Sequence, residues 1–369
     1  MNVYGVIMAG GGGTRFWPLS RQSRPKQLLN LSGKELMINE TIDRISSVIP
    51  KKDIFIVTNS LQYNEMCKAT TNRIKPEHIL EEPMGRNTTA CIGYAAIKIL
   101  KEYGDGVMCI FPSDHYIKDE IGFSKTLEMA VDEAVTRDVL VTIGITPTYP
   151  ATGYGYIRHI DEPNAGDDGN CIHGKSTNGA IKKVLEFKEK PDEKTAQMYI
   201  ESGEYSWNSG MFIWKASVIL NEIKKFLPDI YRKLMQMYEK FETDEEKETI
   251  SKIYPTIESI SIDYGIMEKS KNVEVIPADF GWNDVGSFDN LDAMYDKDED
   301  DNIIKGDFIG IDSTDCVILS KDKLIATIGM KDVVIVESED AILVCDKSRA
   351  QDVKKIVDIL EKKEYYKYI

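Results

Sequence analysis

Short apolar runs alternate with segments of helical periodicity through the first two-thirds of the chain, and this alternation limits the possible folds more than any other feature. Four runs are predicted to be buried strands: Val3–Met8, Asp53–Val57, Val107–Phe111 and Val139–Ile145. Four segments have apolar residues at helical spacing: Glu35–Ile49, Leu61–Asn72, Asn87–Tyr103, with Asn87 as its candidate N-cap, and Ile121–Arg137. Such alternation requires right-handed crossovers, so we predict an α/β fold with a mostly parallel sheet and helices on both faces. In sheets of this kind, ligands bind beyond the carboxyl ends of the strands.

The pattern changes after an acidic stretch, Asp296–Asp301, where short strands follow one another with no helix between them. These strands are Asp307–Ile311, Cys316–Leu319, Leu324–Ile328, Val333–Val336 and Ala341–Val344, followed by a helix near Ser348–Lys362. They recur at similar intervals, but their sequences are too dissimilar to define a repeat. We therefore predict a large domain over residues 1–300 and a small, β-rich C-terminal domain over residues 301–369 that ends in a helix.

Charge is distributed unevenly along this acidic chain. The formal net charge of −15 argues against a nucleic-acid partner, because most of the surface would repel a polyanion. The first 34 residues nevertheless contain no Asp or Glu, although five basic residues lie there: Arg15, Arg21, Arg24, Lys26 and Lys34. A basic segment in an acidic protein indicates a binding site for a small phosphorylated ligand.

The cysteine pattern and the hydropathy indicate a cytoplasmic protein with no membrane association. The six cysteines are scattered and include no C-x-x-C pair, which is typical of thiols in a reducing compartment: Cys67, Cys91, Cys109, Cys171, Cys316 and Cys345. The apolar run Val3–Ala9 is too short for the core of a signal peptide, and no basic residue precedes it. No stretch approaches the roughly 20 apolar residues that a membrane span needs.

A run of four glycines, Gly10 to Gly13, directly follows the first predicted strand and is itself followed by Thr14 and Arg15. Glycines in this position let the backbone approach phosphate oxygens and direct several N–H groups at them. The run is neither the dinucleotide fingerprint, whose third glycine is replaced by Arg15, nor a Walker A loop. A flexible turn with a solvated basic face is the alternative. The combination of strand, glycines, Arg15 and Lys26 favours phosphate binding.

With these motifs the chain resembles the mannose-1-phosphate guanylyltransferases, which belong to the sugar-nucleotide pyrophosphorylases. The segments that carry the resemblance are Ala9–Ser20, Arg24–Gln27, Glu82–Thr88, Pro112–His115, Thr152–Ile157, Phe187–Pro191, Trp207–Phe212, Ser261–Tyr264 with Met267–Lys269, and Gly281–Ser287. They follow the family's order from Val3 to about Phe288. Two features depart from the family pattern: Gly13 stands where another small residue could serve, and Asn283 follows Trp282. Neither departure removes a charged group.

The resemblance implies a Rossmann-like fold of the nucleotide-diphospho-sugar transferase type. It also implies transfer of GMP from GTP to α-D-mannose 1-phosphate, with Mg²⁺ as cofactor and in-line attack on the α-phosphorus. The implied catalytic residues are Arg15, Lys26, Asp114, Lys190 and Asp284, of which Asp114 and Asp284 hold the metal. The implied nucleotide-binding residues are Ala9, Gly10, Gly11, Gly12, Thr14, Arg15, Lys26, Glu82, Arg86 and Asn87. The implied sugar-phosphate-binding residues are Tyr154, Gly155, Glu189, Lys190 and Asn208.

Two alternative functions stay open from the sequence. The first is a nucleotidyltransferase for another sugar 1-phosphate, such as glucose or a heptose. The second is a catalytically silent relative that senses the nucleotide sugar, which the retained charged residues argue against. His115 has the chemistry of a zinc ligand, but with only four histidines and no ligand spacing we expect no zinc. Bifunctional members of the family carry an added isomerase domain, which we do not expect within these 369 residues. We expect a homodimer, with the C-terminal domain in the subunit contact.

Overall fold

The computed structural model describes residues 1–160 and 180–369. Within these ranges, no helix is both long enough and apolar enough to cross a bilayer. Cys171 lies outside the described residues, whereas the other five cysteines are free thiols. Three of the five are buried and two are half-buried, as expected for thiols that pack against apolar neighbours.

A nine-stranded sheet forms the centre of the larger part of the molecule. The strands in the first 300 residues are β1 (Val3–Met8), β2 (Ile54–Asn59), β3 (Ile79–Glu82), β4 (Val107–Pro112), β5 (Tyr116–Ile117), β6 (Leu140–Ile145), β7 (Gly155–Ile160), β8 (Lys182–Glu189), β9 (Tyr205–Lys215), β10 (Val273–Ala278) and β11 (Trp282–Asn283). The order in the sheet is β3-β2-β1-β4-β9-β6-β10-β8-β7, and β5 pairs with β11 in a separate ribbon. β9 is antiparallel to β4 and β6, and β8 is antiparallel to β10. β7 is antiparallel to both β8 and β9, so among these described strands of the sheet only β8 and β9 run against the common direction. The mostly parallel sheet is therefore confirmed.

Helices cover both faces of this sheet. They are α1 (Met37–Ile45), α2 (Tyr63–Thr70), α3 (Asn87–Tyr103), α4 (Glu120–Thr136), α5 (Glu193–Ser202), α6 (Ala216–Phe226), α7 (Pro228–Tyr238) and α8 (Glu246–Ile253), with a π-helical turn at Asp263–Met267. Alternate residues of β1 face opposite layers: Val6 packs in the core beneath α3, α6 and α7, and Ile7 packs in the core beneath α1 and α4. Burial on both faces explains why these strands have continuous apolar runs.

The four predicted strands and four predicted helices are all present, with ends shifted by a few residues. The prediction that Asn87 caps α3 is wrong. Arg86 occupies the N-cap position without a side-chain cap, and the helix begins at Asn87 itself. Asn87 has a left-handed φ of 64°, and its Oδ1 accepts a hydrogen bond from the Thr88 N–H at 2.8 Å. Asparagine tolerates this conformation better than most residues, which accounts for its presence at the entry of the helix.

The C-terminal strands coil into a β-helix. They are β12 (Ile303–Lys305), β13 (Phe308–Ile311), β14 (Val317–Leu319), β15 (Ile325–Ile328), β16 (Val333–Glu337) and β17 (Ile342–Asp346), followed by a 3₁₀ segment (Lys347–Val353) and α9 (Lys354–Lys362). From β12 to β16, successive strands alternate between two sheets, β12-β14-β16-β17 and β13-β15, and β17 then pairs antiparallel with β16. The pairings β12–β14, β14–β16 and β13–β15 are parallel. The similar intervals between these strands therefore reflect a structural repeat. The sequence does not show this repeat, because the apolar residues at the stacked positions differ from one coil to the next.

Candidate active site

The glycine-rich loop leaves the carboxyl end of β1, and two buried glutamines hold its carbonyl groups. Gln27 Nε2 donates to the carbonyl oxygens of Ala9 and Gly11, at 2.8 and 3.1 Å. Gln62 Nε2 also donates to Gly11 O, at 3.2 Å. These bonds fix the loop backbone, as a loop that binds phosphate through its N–H groups requires. The sequence analysis assigned no role to either glutamine, although the position of Gln27 in the Arg24–Gln27 motif could have indicated one.

Ala9 anchors the loop to the sheet. Its N–H donates to Val57 O at 2.8 Å, and its carbonyl accepts from Thr58 Oγ1 at 3.0 Å as well as from Gln27. Its side chain is buried. Both backbone groups of Ala9 therefore already have protein partners, and direct contact between Ala9 and a nucleotide stays a prediction. Gly12 and Thr14 lie further along the loop, exposed to solvent, and Thr14 opens a 3₁₀ turn that includes Arg15.

The interpretation of Gly13 as a position open to any small residue is wrong. Gly13 has a left-handed φ of 58°, a conformation that residues with a Cβ rarely adopt. A Cβ at this position would lie 2.5 Å from both the backbone N and the Cβ of Lys26. Gly13 is therefore required for the close approach of Lys26 to the loop. The one-dimensional sequence does not show this contact, because the two residues are 13 positions apart.

Lys26 is buried, and its ammonium group joins the two segments that carry the predicted metal ligands. Lys26 Nζ donates to Asp114 Oδ2 at 2.9 Å, to the Asp114 carbonyl at 2.8 Å and to the Asp284 carbonyl at 2.7 Å. Only 4% of the residue is exposed. Three acceptors satisfy all three donors of an ammonium group, so Lys26 is held in one position. The structure thus brings together three of the five predicted catalytic residues.

The pairing of β5 with β11 brings Asp114 and Asp284 to one place. In this antiparallel ribbon Trp282 lies opposite Ile117 and Asn283 opposite Tyr116, so the residues before β5 meet those after β11. Tyr154 from the start of β7 then reaches this point, where its hydroxyl donates to Asp284 Oδ1 at 2.8 Å.

Val285, the residue after Asp284, has an unusual backbone conformation. It is buried with a φ of 46°, a conformation that is an outlier for a β-branched residue. Strained residues of this kind cluster at functional sites, where the surrounding structure holds them. The conformation therefore supports a functional role for the turn that carries Asp284.

Burial and charge act in opposite directions on the groups beside this turn. Burial raises the pKa of the Asp114 carboxyl, but the Lys26 and Arg15 cations outweigh it and hold that pKa below its usual value. Burial lowers the pKa of His115 to about 4, although Asp114 and Asp284 oppose the change. His115 Nδ1 accepts a hydrogen bond from Trp282 Nε1 at 3.0 Å, as only a neutral imidazole with an unprotonated Nδ1 can. Asp114 is thus ionised and His115 neutral at pH 7.

The oxygens of Asp114 and Asp284 fit a magnesium ion. One oxygen of each carboxylate is bound by Lys26 or Tyr154, and the other forms no hydrogen bond to the described residues. Mg²⁺ prefers such oxygen ligands and is commonly held by one or two carboxylates together with substrate phosphates. No group of three or more His, Cys, Asp or Glu among the described residues could hold a metal. A metal at this turn would therefore need further ligands from the substrate.

Arg15 lies beside the same turn. A Cβ built on Gly286 would be 3.3 Å from both Arg15 Nη1 and Asp284 Oδ2, which places the guanidinium next to the carboxylate. The Arg15 side chain is exposed, and its Nη1 donates to Gln351 Oε1 of the C-terminal part at 2.9 Å. The fourth predicted catalytic residue therefore joins Lys26, Asp114 and Asp284.

The predicted sugar-phosphate residues lie together at the ends of β7, β8 and β9. Gly155 pairs with Glu189 across β7 and β8, and a Cβ on Gly155 would be 2.5 Å from Glu189 Oε2. Lys190 Nζ forms an ion pair with Glu189 Oε1 at 2.8 Å, and Lys190 has a left-handed φ of 49°. Asn208 Nδ2 donates to Asp263 Oδ1 at 2.8 Å.

Asp263 is a site residue that the sequence prediction missed. It belongs to the π-helical turn, and burial together with the nearby Glu189 charge raises its pKa to about 6. It accepts the hydrogen bond from Asn208 of β9, and the Glu189 carboxylate lies near enough to act on it. The carboxyl groups of Asp263 and Glu189 therefore lie close together where the sugar is expected. The motif that contains Asp263, Ser261–Tyr264, was recognised, and the Asp263 carboxyl group was the usable signal.

A third set of residues lies at the amino end of α3. Glu82 is buried, and burial raises its pKa to about 7, although the Tyr254 hydroxyl donates to it and opposes the change. A Cβ on Gly10 would lie 3.0 Å from Glu82 Oε2, so the carboxyl group directly faces the glycine-rich loop. Arg86 donates to the Pro255 carbonyl.

A single cavity of about 460 Å³ connects these groups. Ten of the predicted site residues line it: Gly10, Gly11, Glu82, Arg86, Asn87, Tyr154, Gly155, Glu189, Asn208 and Asp284. Asp263 and His115 also line it. The predicted residues outside its lining are Ala9, Gly12, Thr14, Arg15, Lys26, Asp114 and Lys190, of which Lys26 and Asp114 contact its wall through Asp284 and His115. Its lining thus includes residues from the predicted nucleotide-binding, metal-binding and sugar-phosphate-binding sets.

Comparison with known proteins agrees with this geometry. A profile of the Nucleotidyl transferase family matches residues 4–301, and a profile of the MannoseP isomerase/GMP-like beta-helix domain matches residues 306–360. Mannose-1-phosphate guanylyltransferase RfbM of Salmonella typhimurium is 39% identical over 377 residues, which cover 100% of this chain and 74% of RfbM. Xanthan biosynthesis protein XanB of Xanthomonas campestris is 39% identical over 96% of this chain and 73% of XanB.

Solved structures show the same fold. A protein from Thermus thermophilus, described as a mannose-1-phosphate geranyltransferase, superimposes with a TM-score of 0.85 at 29% identity, covering 98% of this chain and 100% of the other. A UDP-glucose pyrophosphorylase from Acinetobacter baumanii has a TM-score of 0.51 at 15% identity over 80% of this chain and 92% of its own, which shows the fold alone.

The chain belongs to the nucleotidyl transferase family. Within that family three relatives at 37–39% identity are named as mannose-1-phosphate guanylyltransferases, one of them as putative, so the resemblance to this group is confirmed. The chain spans about three-quarters of the length of these relatives.

Proposed function

We propose that the protein transfers GMP from GTP to α-D-mannose 1-phosphate, giving GDP-mannose and pyrophosphate. The observation that carries the proposal is the position of Lys26, which joins Asp114 and Asp284 beside the glycine-rich loop. Asp284 lines the same cavity as Glu189, and Lys190 forms an ion pair with Glu189. The names of its relatives support mannose as the sugar and guanine as the base.

In this reaction an oxygen of the sugar phosphate attacks the α-phosphorus of GTP. The new bond joins that oxygen to the α-phosphorus, and the bond from the α-phosphorus to the bridging oxygen of the β-phosphate breaks. A phosphate monoester carries between one and two negative charges at pH 7, so the nucleophile needs no general base. The protein must therefore align two polyanions and neutralise their charge.

Each group at the site has a role in this proposal. The loop from Gly10 to Thr14 and the Arg15 guanidinium bind the triphosphate, and Lys26 supplies a fixed positive charge near the α-phosphate. Lys190 binds the sugar phosphate, while Glu189, Asn208 and the backbone of Tyr154–Gly155 bind the sugar. Glu82, Arg86 and Asn87 border the base. Mg²⁺, held by Asp114 and Asp284, would supply further neutralisation of the phosphate charge.

The test is a measurement of pyrophosphate release with Mg²⁺ for each nucleoside triphosphate against mannose, glucose and heptose 1-phosphates. We expect GTP with mannose 1-phosphate to have the highest kcat/KM. A preference for glucose or a heptose would favour the first alternative, a nucleotidyltransferase for another sugar. Absence of release with every pair, together with tight binding of GDP-mannose, would favour the silent regulatory relative.

We also propose that the protein is a homodimer formed through one face of the β-helix. Three isoleucines on β13 and β15 are more than half exposed on this face: Ile309 (56%), Ile311 (55%) and Ile328 (74%). Ile311 lies directly opposite Ile328 in the pairing, and Ile309 is two residues from Ile311, so the three side chains share one surface. A contiguous apolar surface of this kind commonly marks an interface.

A cytoplasmic location completes the proposal. The five free thiols among the described residues support it, since thiols persist in reducing compartments. Cell fractionation tests it, and recovery of the protein with membranes would contradict it.

A further inference from the structure

The segment after the glycine-rich loop is held by the C-terminal part of the chain at four points. The contacts are Arg15–Gln351, Trp17–Tyr368, Arg21–Asp340 and Gln22–Glu361, with donor–acceptor distances of 2.9, 2.7, 2.6 and 3.0 Å. Beneath them, Phe16 and Trp17 share one apolar core with Val334 of the β-helix and Val353 of the 3₁₀ segment that follows it. The loop that is proposed to bind the triphosphate is therefore supported by both parts of the molecule.

Gln351 differs from the other three C-terminal residues because it contacts both Arg15 and the turn that carries Asp284. Its Oε1 accepts from Arg15 Nη1 at 2.9 Å, and its Nε2 donates to Ser287 Oγ at 2.6 Å. Ser287 is fully buried and lies three residues after Asp284 in the same turn. The amide of Gln351 thus has its orientation set by Ser287, which leaves its oxygen directed at the guanidinium.

We propose that Gln351 is a positioning residue that holds Arg15 ready for the triphosphate, so that the 3₁₀ segment after the β-helix contributes to GTP binding through Arg15. An exposed arginine side chain has many rotamers, and binding a ligand through it costs free energy for ordering them. Gln351 reduces that cost by keeping Arg15 Nη1 beside Gly286 and Asp284 before GTP arrives. This inference rests on the proposed role of Arg15 in binding the triphosphate.

Gln351→Leu tests the inference, because leucine keeps much of the volume and removes both hydrogen bonds. We expect the KM for GTP to rise about two- to tenfold, the range given by one ordered side chain. The KM for mannose 1-phosphate and the melting temperature should stay close to the wild-type values. Gln22→Leu is the matched control: it removes a similar exposed contact to the C-terminal part, Gln22–Glu361, and leaves Arg15 in place. We expect it to leave both KM values unchanged.

The decisive measurement is a double-mutant cycle with Arg15→Met, since coupled residues give non-additive effects. If Gln351 acts through Arg15, then Gln351→Leu should not raise the KM for GTP further in the Arg15→Met background. Equal increases in both backgrounds would overturn the inference, as would a normal KM for GTP in Gln351→Leu while Arg15→Met raises it. A normal KM for GTP in Arg15→Met would show that Arg15 does not bind the triphosphate. That result would overturn the inference, and it would identify the role of Arg15 in the proposed function as the error.

Discussion

Asp114 and Asp284 lie on two segments that hydrogen bonds hold close together. Lys26 binds Asp114 through its side chain and Asp284 through its carbonyl, and Tyr154 binds the Asp284 carboxylate. Asparagine at either position keeps an oxygen for these hydrogen bonds but loses the negative charge that a metal needs. We expect Asp114→Asn and Asp284→Asn each to lower kcat by about 100-fold or more while the fold stays intact. Steady-state rates at saturating Mg²⁺ check this, and near-normal rates in both variants would contradict the metal assignment.

Lys190 and Arg15 are predicted to serve different substrates. Lys190 forms an ion pair with Glu189, one of the predicted sugar-binding residues, whereas Arg15 lies beside Asp284 and close to the glycine-rich loop. A charge contact to a phosphate is worth about 1.5–3 kcal/mol, so Lys190→Met should raise the KM for mannose 1-phosphate about ten- to a hundredfold and affect the KM for GTP little. Arg15→Met should instead raise the KM for GTP and affect the KM for mannose 1-phosphate little. If Lys190→Met instead raises the KM for GTP alone, then Lys190 belongs to the nucleotide site.

Gly13 permits the approach of Lys26 to the loop, and its replacement should therefore displace the lysine. Gly13→Ala places a Cβ 2.5 Å from the Lys26 backbone and requires a strained φ of 58°. We expect the free energy of unfolding to fall by about 1–3 kcal/mol. Thermal unfolding without ligand measures this, with Gly11→Ala as the control, because a Cβ on Gly11 meets no atom within 4 Å. Equal stability of both variants would show that the loop adjusts without cost.

At the scale of elements, the π-helical turn and β8 bring Asp263 and Glu189 together. Burial and the Glu189 charge raise the pKa of Asp263 from 3.8 to about 6, so the folded protein binds this proton more tightly than the unfolded chain does. Stability from this group is therefore fully present below about pH 4 and is lost as the pH rises to about 6.

Asp263→Asn should remove this loss. The variant should match the wild type in stability near pH 4 and exceed it by roughly 2 kcal/mol at pH 7, since one pKa unit corresponds to about 1.4 kcal/mol and partial exposure reduces the effect. Chemical denaturation at both pH values checks the difference. Asp244→Asn, at an exposed position, controls for the loss of one negative charge. A stability difference that does not change with pH would contradict the prediction.

At the scale of the whole molecule, the exposed isoleucines of β13 and β15 predict the oligomeric state. Introducing charge into a buried apolar contact costs more than the contact contributes, so Ile311→Asp with Ile328→Asp should dissociate the homodimer. Light scattering should then give half the mass of the wild type. Ile342→Asp is the control, since Ile342 is 57% exposed on β17, away from this pair of strands. Dissociation by the control alone would move the interface to β17.

The sequence by itself determined the central strands and helices of the fold and predicted the chemical groups of the site. Periodicity located β1, β2, β4 and β6 with helices between them, because strands buried on both faces must be continuously apolar. The motifs indicated which charged residues to expect, because phosphates need cations and hard metals need carboxylates.

Contacts between distant residues were decided only by the tertiary structure. The requirement for Gly13, the anchoring glutamines Gln27 and Gln62, and the contact of Gln351 with Arg15 all join residues that the sequence separates. The β-helix could not be predicted from the sequence either. Its coils need only apolar residues of any kind at the stacked positions, and no local pattern specifies which strands pair with one another. Local propensity and periodicity act over a few residues, whereas register, burial and the orientation of a side chain depend on what the rest of the chain places against it.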